Sequence, residues 1–120
     1  MISFEEKVVV EPEFIRFETR GKYAFEELFG FLGRVREVAE EAYQRKILID
    51  SRLLEGNMTE GERFEGGKKI AEVFGSRFRV ALVMPPKTIT KLGELAAVNR
   101  GADFLVSPVL DEAITWLLRK

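Results

Sequence analysis

Apolar residues along this chain first alternate, then recur at helical steps, and the changes of period mark its elements. Residues 7–11, centred on Val8, Val9 and Val10 and closed by Pro12, predict a first strand. Across 14–19, Ile15 and Phe17 alternate with Arg16 and Glu18, which predicts a second strand with one wet face, ended by a turn at Arg20-Gly21. The two read as an antiparallel pair. From 24 to 44 the period changes: Leu28, Phe31, Leu32, Val35, Val38, Ala39 and Ala42 form one helical stripe. Glu26 and Glu27 lie in the first turn and Arg45-Lys46 past the last, the charge order a helix dipole favours.

The second half alternates strands and helices. Residues 47–50 (Ile-Leu-Ile-Asp) read as a short strand, apolar throughout and so covered on both faces. A second helix follows at 59–74, with Phe64, Ile70, Ala71 and Phe74 inward and Gly75 as its stop. Gly67 falls within that inward face, where a missing side chain would let the helix lie close on the sheet. Residues 79–84 form a strand cut off by Pro85-Pro86, and 88–99 a third helix that turns Leu92, Leu95 and Ala96 inward before Gly101. After a last strand at 104–106, Ser107 and Pro108 fit the N-cap and first position of a fourth helix, whose core residues are Val109, Ala113, Trp116 and Leu117. The order β-β-α-β-α-β-α-β-α predicts an α/β fold. Its mixed sheet has four to five strands and four helices, with residues 47–49 interior, Trp116 substantially buried and the later strands parallel through right-handed crossovers.

Composition narrows the chemistry. At 120 residues the chain is expected to be one domain, 1–120, with 46% hydrophobic and 32% charged residues, a globular balance. It has no cysteine and no histidine, which removes disulfides, thiolate or imidazole zinc sites, and Ser-His-Asp or Cys-His catalysis. Acidic pairs such as Glu26-Glu27, Glu40-Glu41 and Asp111-Glu112 are sequence neighbours that diverge on a helix, so no carboxylate pair converges. Gly66-Gly67 lies within a helical pattern, and no Gly-Lys-Ser/Thr follows, so a phosphate loop is not expected. No enzyme activity and no cofactor are expected. A net charge of −1 argues against nucleic acid, the acidic start lacks a secretory pattern, and the longest apolar run is too short to span a membrane. A cytoplasmic protein is expected. The first sixty residues are acidic and the last sixty mildly basic, an asymmetry compatible with a homodimer or an acidic partner.

The polar positions best placed for function are Asp50 and Ser51, expected at a strand's carboxyl end, where α/β sheets bind ligands. The loop expected after them carries Leu53, Leu54 and Met58, either a contact surface or a lid over the sheet edge. Thr59-Glu60-Gly61-Glu62 then satisfies the S/T-x-x-E capping box.

Several segments resemble the SpoIIAA-like branch of the STAS domain: ILIDSRLLEG, ERFEGGKKIAE, RVALVMP, NRGADFLVS and DEAITWL. The resemblance covers the chain from about Phe14 onward and rests on spaced apolar and glycine positions. It implies a STAS-like fold and a regulatory, protein-binding role controlled by phosphorylation at the start of the second helix. Counting forward from Asp50 puts Thr59 at the phospho-acceptor position, although the family's Asp-Ser-Ser-Gly signature is absent. A small apolar, lipid-like ligand is the alternative implication, and an enzyme of unknown type the third. Thr59 thus reads as a helix cap, a phospho-acceptor, or both. As a cap, its replacement by alanine is expected to lower stability by about 1 kcal/mol, with serine near neutral, measured by thermal melting.

Overall fold

The computed structural model describes residues 4–119. Strands β1 (Phe4–Val10), β2 (Ile15–Lys22), β3 (Lys46–Glu55), β4 (Arg79–Val83) and β5 (Asp103–Ser107) form one sheet in chain order. β1 and β2 are antiparallel, and every later neighbour is parallel. Helices α1 (Phe25–Glu41), α2 (Glu60–Phe74), α3 (Leu92–Val98) and α4 (Leu110–Leu118) complete the expected order. Each parallel step links adjacent strands, so α1, α2 and α3 fall on one face through crossovers of one hand.

Strand alternation divides the core between the two faces. Ile15, Phe17, Ile47, Ile49, Val80, Phe104 and Val106 point toward α1, α2 and α3 and meet Phe31, Leu32, Val35, Ile70 and Phe74. Leu48, Ala81 and Val83 point the other way and meet Ala113 and Leu117 of α4. Residues 47–49 are at most 3% exposed, as a strand covered on both sides requires. Because α4 is short and packs on β3, β4 and β5, the β1–β2 end of that face stays wet.

The structure corrects the sequence expectations at several points. β3 does not stop at Asp50: after a bulge in β3 between Asp50 and Leu53, Arg20, Gly21 and Lys22 pair with Leu53, Leu54 and Glu55, so half of the expected loop is strand. The third helix is split, with a 3₁₀ turn at Pro86–Thr88 and α3 starting only at Leu92. Lys91 between them has φ 68°, a left-handed conformation that a continuous helix cannot contain. Leu95 consequently faces solvent at 56% exposure, while Ala96 and Ala97 face inward. Ser107 ends β5, and Val109, exposed and outside the core, occupies the N-cap of α4. Ser107 still holds the helix entrance, because its Oγ accepts from the Val109 N–H at 3.1 Å. Trp116 is half-buried against the α4 cluster, with the Arg79 guanidinium 5.1 Å from its ring centre.

Gly67 does permit a close approach, but to α3 and not to the sheet. A Cβ there would lie 2.2 Å from the Gly93 carbonyl oxygen, 2.9 Å from Ala96 Cβ and 3.1 Å from Ala97 N. Backbone atoms cannot yield as a side-chain tip can. At Gly66 a Cβ would meet only Leu28 Cδ2, at 3.6 Å. Gly67→Ala is therefore expected to destabilise by about 1–3 kcal/mol through overpacking. Gly66→Ala is expected to be neutral or to stabilise by up to about 1 kcal/mol through helix propensity. Urea unfolding of the two variants checks this, and equal effects would contradict the α2–α3 contact.

Candidate functional site

The carboxyl ends of the parallel strands carry a cavity beneath α1, α2 and the 3₁₀ turn. Leu28 and Phe31 from α1, Ile49 from β3, Ile70 from α2, and Phe104 and Val106 from β5 make its walls. Its volume is about 90 Å³, and it is open on one side. The interior is almost wholly apolar, and polar groups gather near the ends of the strands.

Those groups differ in how well they are partnered. Lys91 Nζ donates to Glu94 at 3.0 Å and to the Val106 carbonyl at 2.6 Å, and Glu94 accepts from the Val106 N–H at 2.6 Å. Thr19 donates to Ser51 at 2.8 Å, two buried hydroxyls on adjacent strands. Arg63, one turn into α2, has a side chain 11% exposed, and its Nη1 donates to the Thr88 carbonyl. Its Nε has only Glu60, at an ion-pair distance of 3.8 Å. Tyr23 connects β2 to α1, fixed by its N–H donating to the Glu55 carbonyl at 2.7 Å. The Tyr23 hydroxyl and Arg63 Nε are buried without a hydrogen-bond partner among the described residues. Burial first, then the charges of Glu62 and Glu26, push the Tyr23 phenol above its ordinary pKa, against a smaller opposing effect of Arg63. It stays a proton donor through neutral pH.

The sequence candidates do not assemble into one site. Asp50 and Ser51 are adjacent in an extended strand and so point to opposite faces. Ser51, Leu54 and Met58 line the cavity, whereas Asp50 and Leu53 lie on the wet face beyond α4, and Leu53 is 64% exposed. Thr59 is exposed at the N-terminus of α2. Its Oγ1 accepts from the Glu62 N–H at 3.1 Å, and Glu62 Oε1 accepts from the Thr59 N–H at 3.0 Å, a complete capping box.

On the wet face Asp50 is held by arginines. Arg52 donates to it from Nε at 2.9 Å, from Nη2 at 2.8 Å and from the backbone at 3.2 Å, and Arg16 donates at 3.1 Å while also contacting Glu18 at 2.9 Å. Burial alone would raise the Asp50 pKa. The hydrogen bonds from Arg52 and the charges of Arg52 and Arg16 together outweigh it and hold the carboxyl below its usual value. The Asp50 carboxylate is thus satisfied within the cluster, while Arg16 Nε has an ion-pair contact with Glu18 but no hydrogen bond among the described residues.

Sequence reasoning missed Tyr23 and Arg63. For Arg63 a signal existed: it lies four and seven residues before Gly67 and Ile70, on the inward face of α2, where an arginine is out of place. Tyr23 gave none, since its burial depends on the approach of β3 and α2.

No family model matches the chain, and no curated protein matches it. A solved structure does. The crystal structure of an anti-sigma factor antagonist from Mycobacterium paratuberculosis superposes with a TM-score of 0.68 at 16% identity, covering 98% of this chain and 96% of that one. This protein has the anti-sigma factor antagonist fold. Coverage at that level leaves little room for an insertion in either chain.

The ion cluster gives a test by pH. A carboxyl whose folded pKa is depressed contributes stability above its unfolded pKa of about 4, and that contribution is lost as pH falls through the lower folded value. Asp50→Asn is expected to lower stability by about 1–3 kcal/mol at pH 7. The gap to the native protein should narrow as pH falls below about 4, measured by urea unfolding across pH. A gap that is constant with pH would contradict the charged role.

Proposed function

We propose that this protein is a non-enzymatic regulatory module that acts by binding another protein, and that it works in the cytoplasm. The observation that carries this reading is the end-to-end structural match to an anti-sigma factor antagonist. Residue chemistry supports it: without histidine or cysteine the chain lacks the usual nucleophile–base pairs. Among the described residues no helix is long and apolar enough to cross a membrane. A carrier of whole lipid-sized cargo has less support, because a cavity of about 90 Å³ is well short of the few hundred Å³ such cargo fills.

The contact surface in this reading is the start of α2 and the segment before it. Glu55, Gly56, Asn57, Thr59, Glu60 and Gly61 are all exposed there. Thr59 supports capping and modification alike, since a helix N-terminus presents free N–H groups and partial positive charge to a phosphate. Glu60 and Glu62 repel added negative charge, so capping is its resting role.

Site-specific photo-crosslinking in the native host tests the surface. A probe at Asn57 or Gly61 is expected to capture one defined protein, and a probe at Tyr43, 97% exposed at the opposite end of the sheet, is expected not to. Thr59→Glu is expected to abolish the capture if the residue is a switch, and Thr59→Ser to retain it. Equal capture from Tyr43, or none from either position, would refute the assignment.

A further inference from the structure

We infer that the cavity beneath α1 and α2 is a binding site for a small monocarboxylate with an apolar body, whose carboxylate accepts hydrogen bonds from the Tyr23 hydroxyl and Arg63 Nε. This goes beyond the protein-binding reading and does not depend on it. Three observations carry it.

The first is the pair of orphan donors. Buried polar groups are nearly always hydrogen-bonded, and an unpaired one costs free energy comparable to a lost hydrogen bond. Here two such groups line the same cavity, from elements separated by 40 residues, and each is a donor with no described partner. Two donors call for an acceptor, and a carboxylate offers two acceptor oxygens.

The second is charge. Lys91 and Glu94 neutralise each other at the rim, and both are committed to the backbone of Val106. Arg63 keeps only a partial claim on Glu60, which is 66% exposed, and on a neutral carbonyl. A buried guanidinium favours an anion over a neutral or cationic guest, because the ion pair forms away from water. Tyr23 stays protonated, so it adds a donor and no competing charge.

The third is shape. Beyond the donors the walls are chiefly Leu28, Phe31, Ile49, Ile70, Phe104 and Val106, and Thr19, Ser51, Thr88, Lys91 and Glu94 in the lining already bond to protein groups. A dry cavity of about 150 Å³ holds a benzene ring. By that measure a void of about 90 Å³ takes in about four carbons, and the rest of a short chain lies at the open mouth beside Met58. The close contact of Gly67 with Gly93 fixes the depth of this space, since it sets how far α2 stands from the strands.

Amide chemical-shift titration of the full chain with sodium hexanoate, 1-hexanol and hexylammonium tests the site. Hexanoate is expected to shift amides at the start of α2, in the 3₁₀ turn and at the end of β5, and to bind at least about tenfold more tightly than hexanol, with hexylammonium weakest. In Arg63→Met the ratio of hexanoate to hexanol affinity is expected to fall to about one. In Tyr23→Phe hexanoate affinity is expected to fall by about two- to tenfold. Arg63 also braces Thr88, so Tyr23→Phe is the deciding variant if Arg63→Met does not fold. Its melting temperature is expected to hold or rise, because an unpartnered buried hydroxyl has been removed. Equal affinity for hexanoate and hexanol would mean that water satisfies both donors, and would overturn the proposal. Shifts confined to another surface, or a Tyr23→Phe variant that binds hexanoate as the native protein does, would overturn it too.

Discussion

The contact of α2 with α3 at Gly67 and Gly93 governs the arrangement of this end of the molecule. The backbones meet so closely that Gly67 has no room for a Cβ, and a Cβ at Gly93 would lie 3.1 Å from the Arg63 carbonyl. One turn of α2 therefore lies against one turn of α3 with the Ala96 methyl beside the contact. That approach carries Arg63 inward, where its guanidinium braces the 3₁₀ turn through Thr88. It also places α2 above the strand ends without filling the space between. Larger residues at the two glycines would pry the helices apart and move Arg63 with them.

A second constraint is the alternation of β3, which carries two adjacent polar residues to two different places. Asp50 goes to the wet face and is consumed by Arg52 and Arg16. Ser51 goes to the covered face and is consumed by Thr19. Both are buried, and both are satisfied by neighbours on the sheet. The first ties down β3 at its bulge, and the second closes the polar gap between two strands in an apolar layer. A catalytic reading would need the two side chains on one side, and the pleat forbids it.

The groups that remain uncommitted are the ones that fold stability would discard. Phenylalanine at Tyr23 would leave one fewer buried polar atom to satisfy, and an apolar residue at Arg63 would remove the orphan Nε while also losing the bond to the Thr88 carbonyl. Retention of both at one cavity is the pattern expected where local stability has been exchanged for recognition. The exposed start of α2 is a different kind of feature, with its capping box complete and most of its side chains in solvent. In the two proposals one end of α2 serves two surfaces, an outer one for a protein and an inner one for a small acid.

Element order, the buried third strand, the capping box and the chemistry excluded by missing histidine and cysteine were all legible in the sequence. Each depends on local pattern: alternation for β2, a three-four repeat for α1, and the four residues from Thr59 to Glu62 that satisfy one another. Tertiary structure alone decided the rest. Leu53 and Leu54 became strand because Arg20 and Gly21 of β2 were there to pair with them, a partnership their own spacing does not announce. Leu95 was left in solvent because Lys91 adopts a left-handed conformation that restarts the helix and resets its face. The cavity, finally, belongs to no segment, since its walls come from three helices and several strands and its two donors from positions 23 and 63. Sequence spacing fixes which face of an element a residue occupies, but only the packing of elements determines what that face meets.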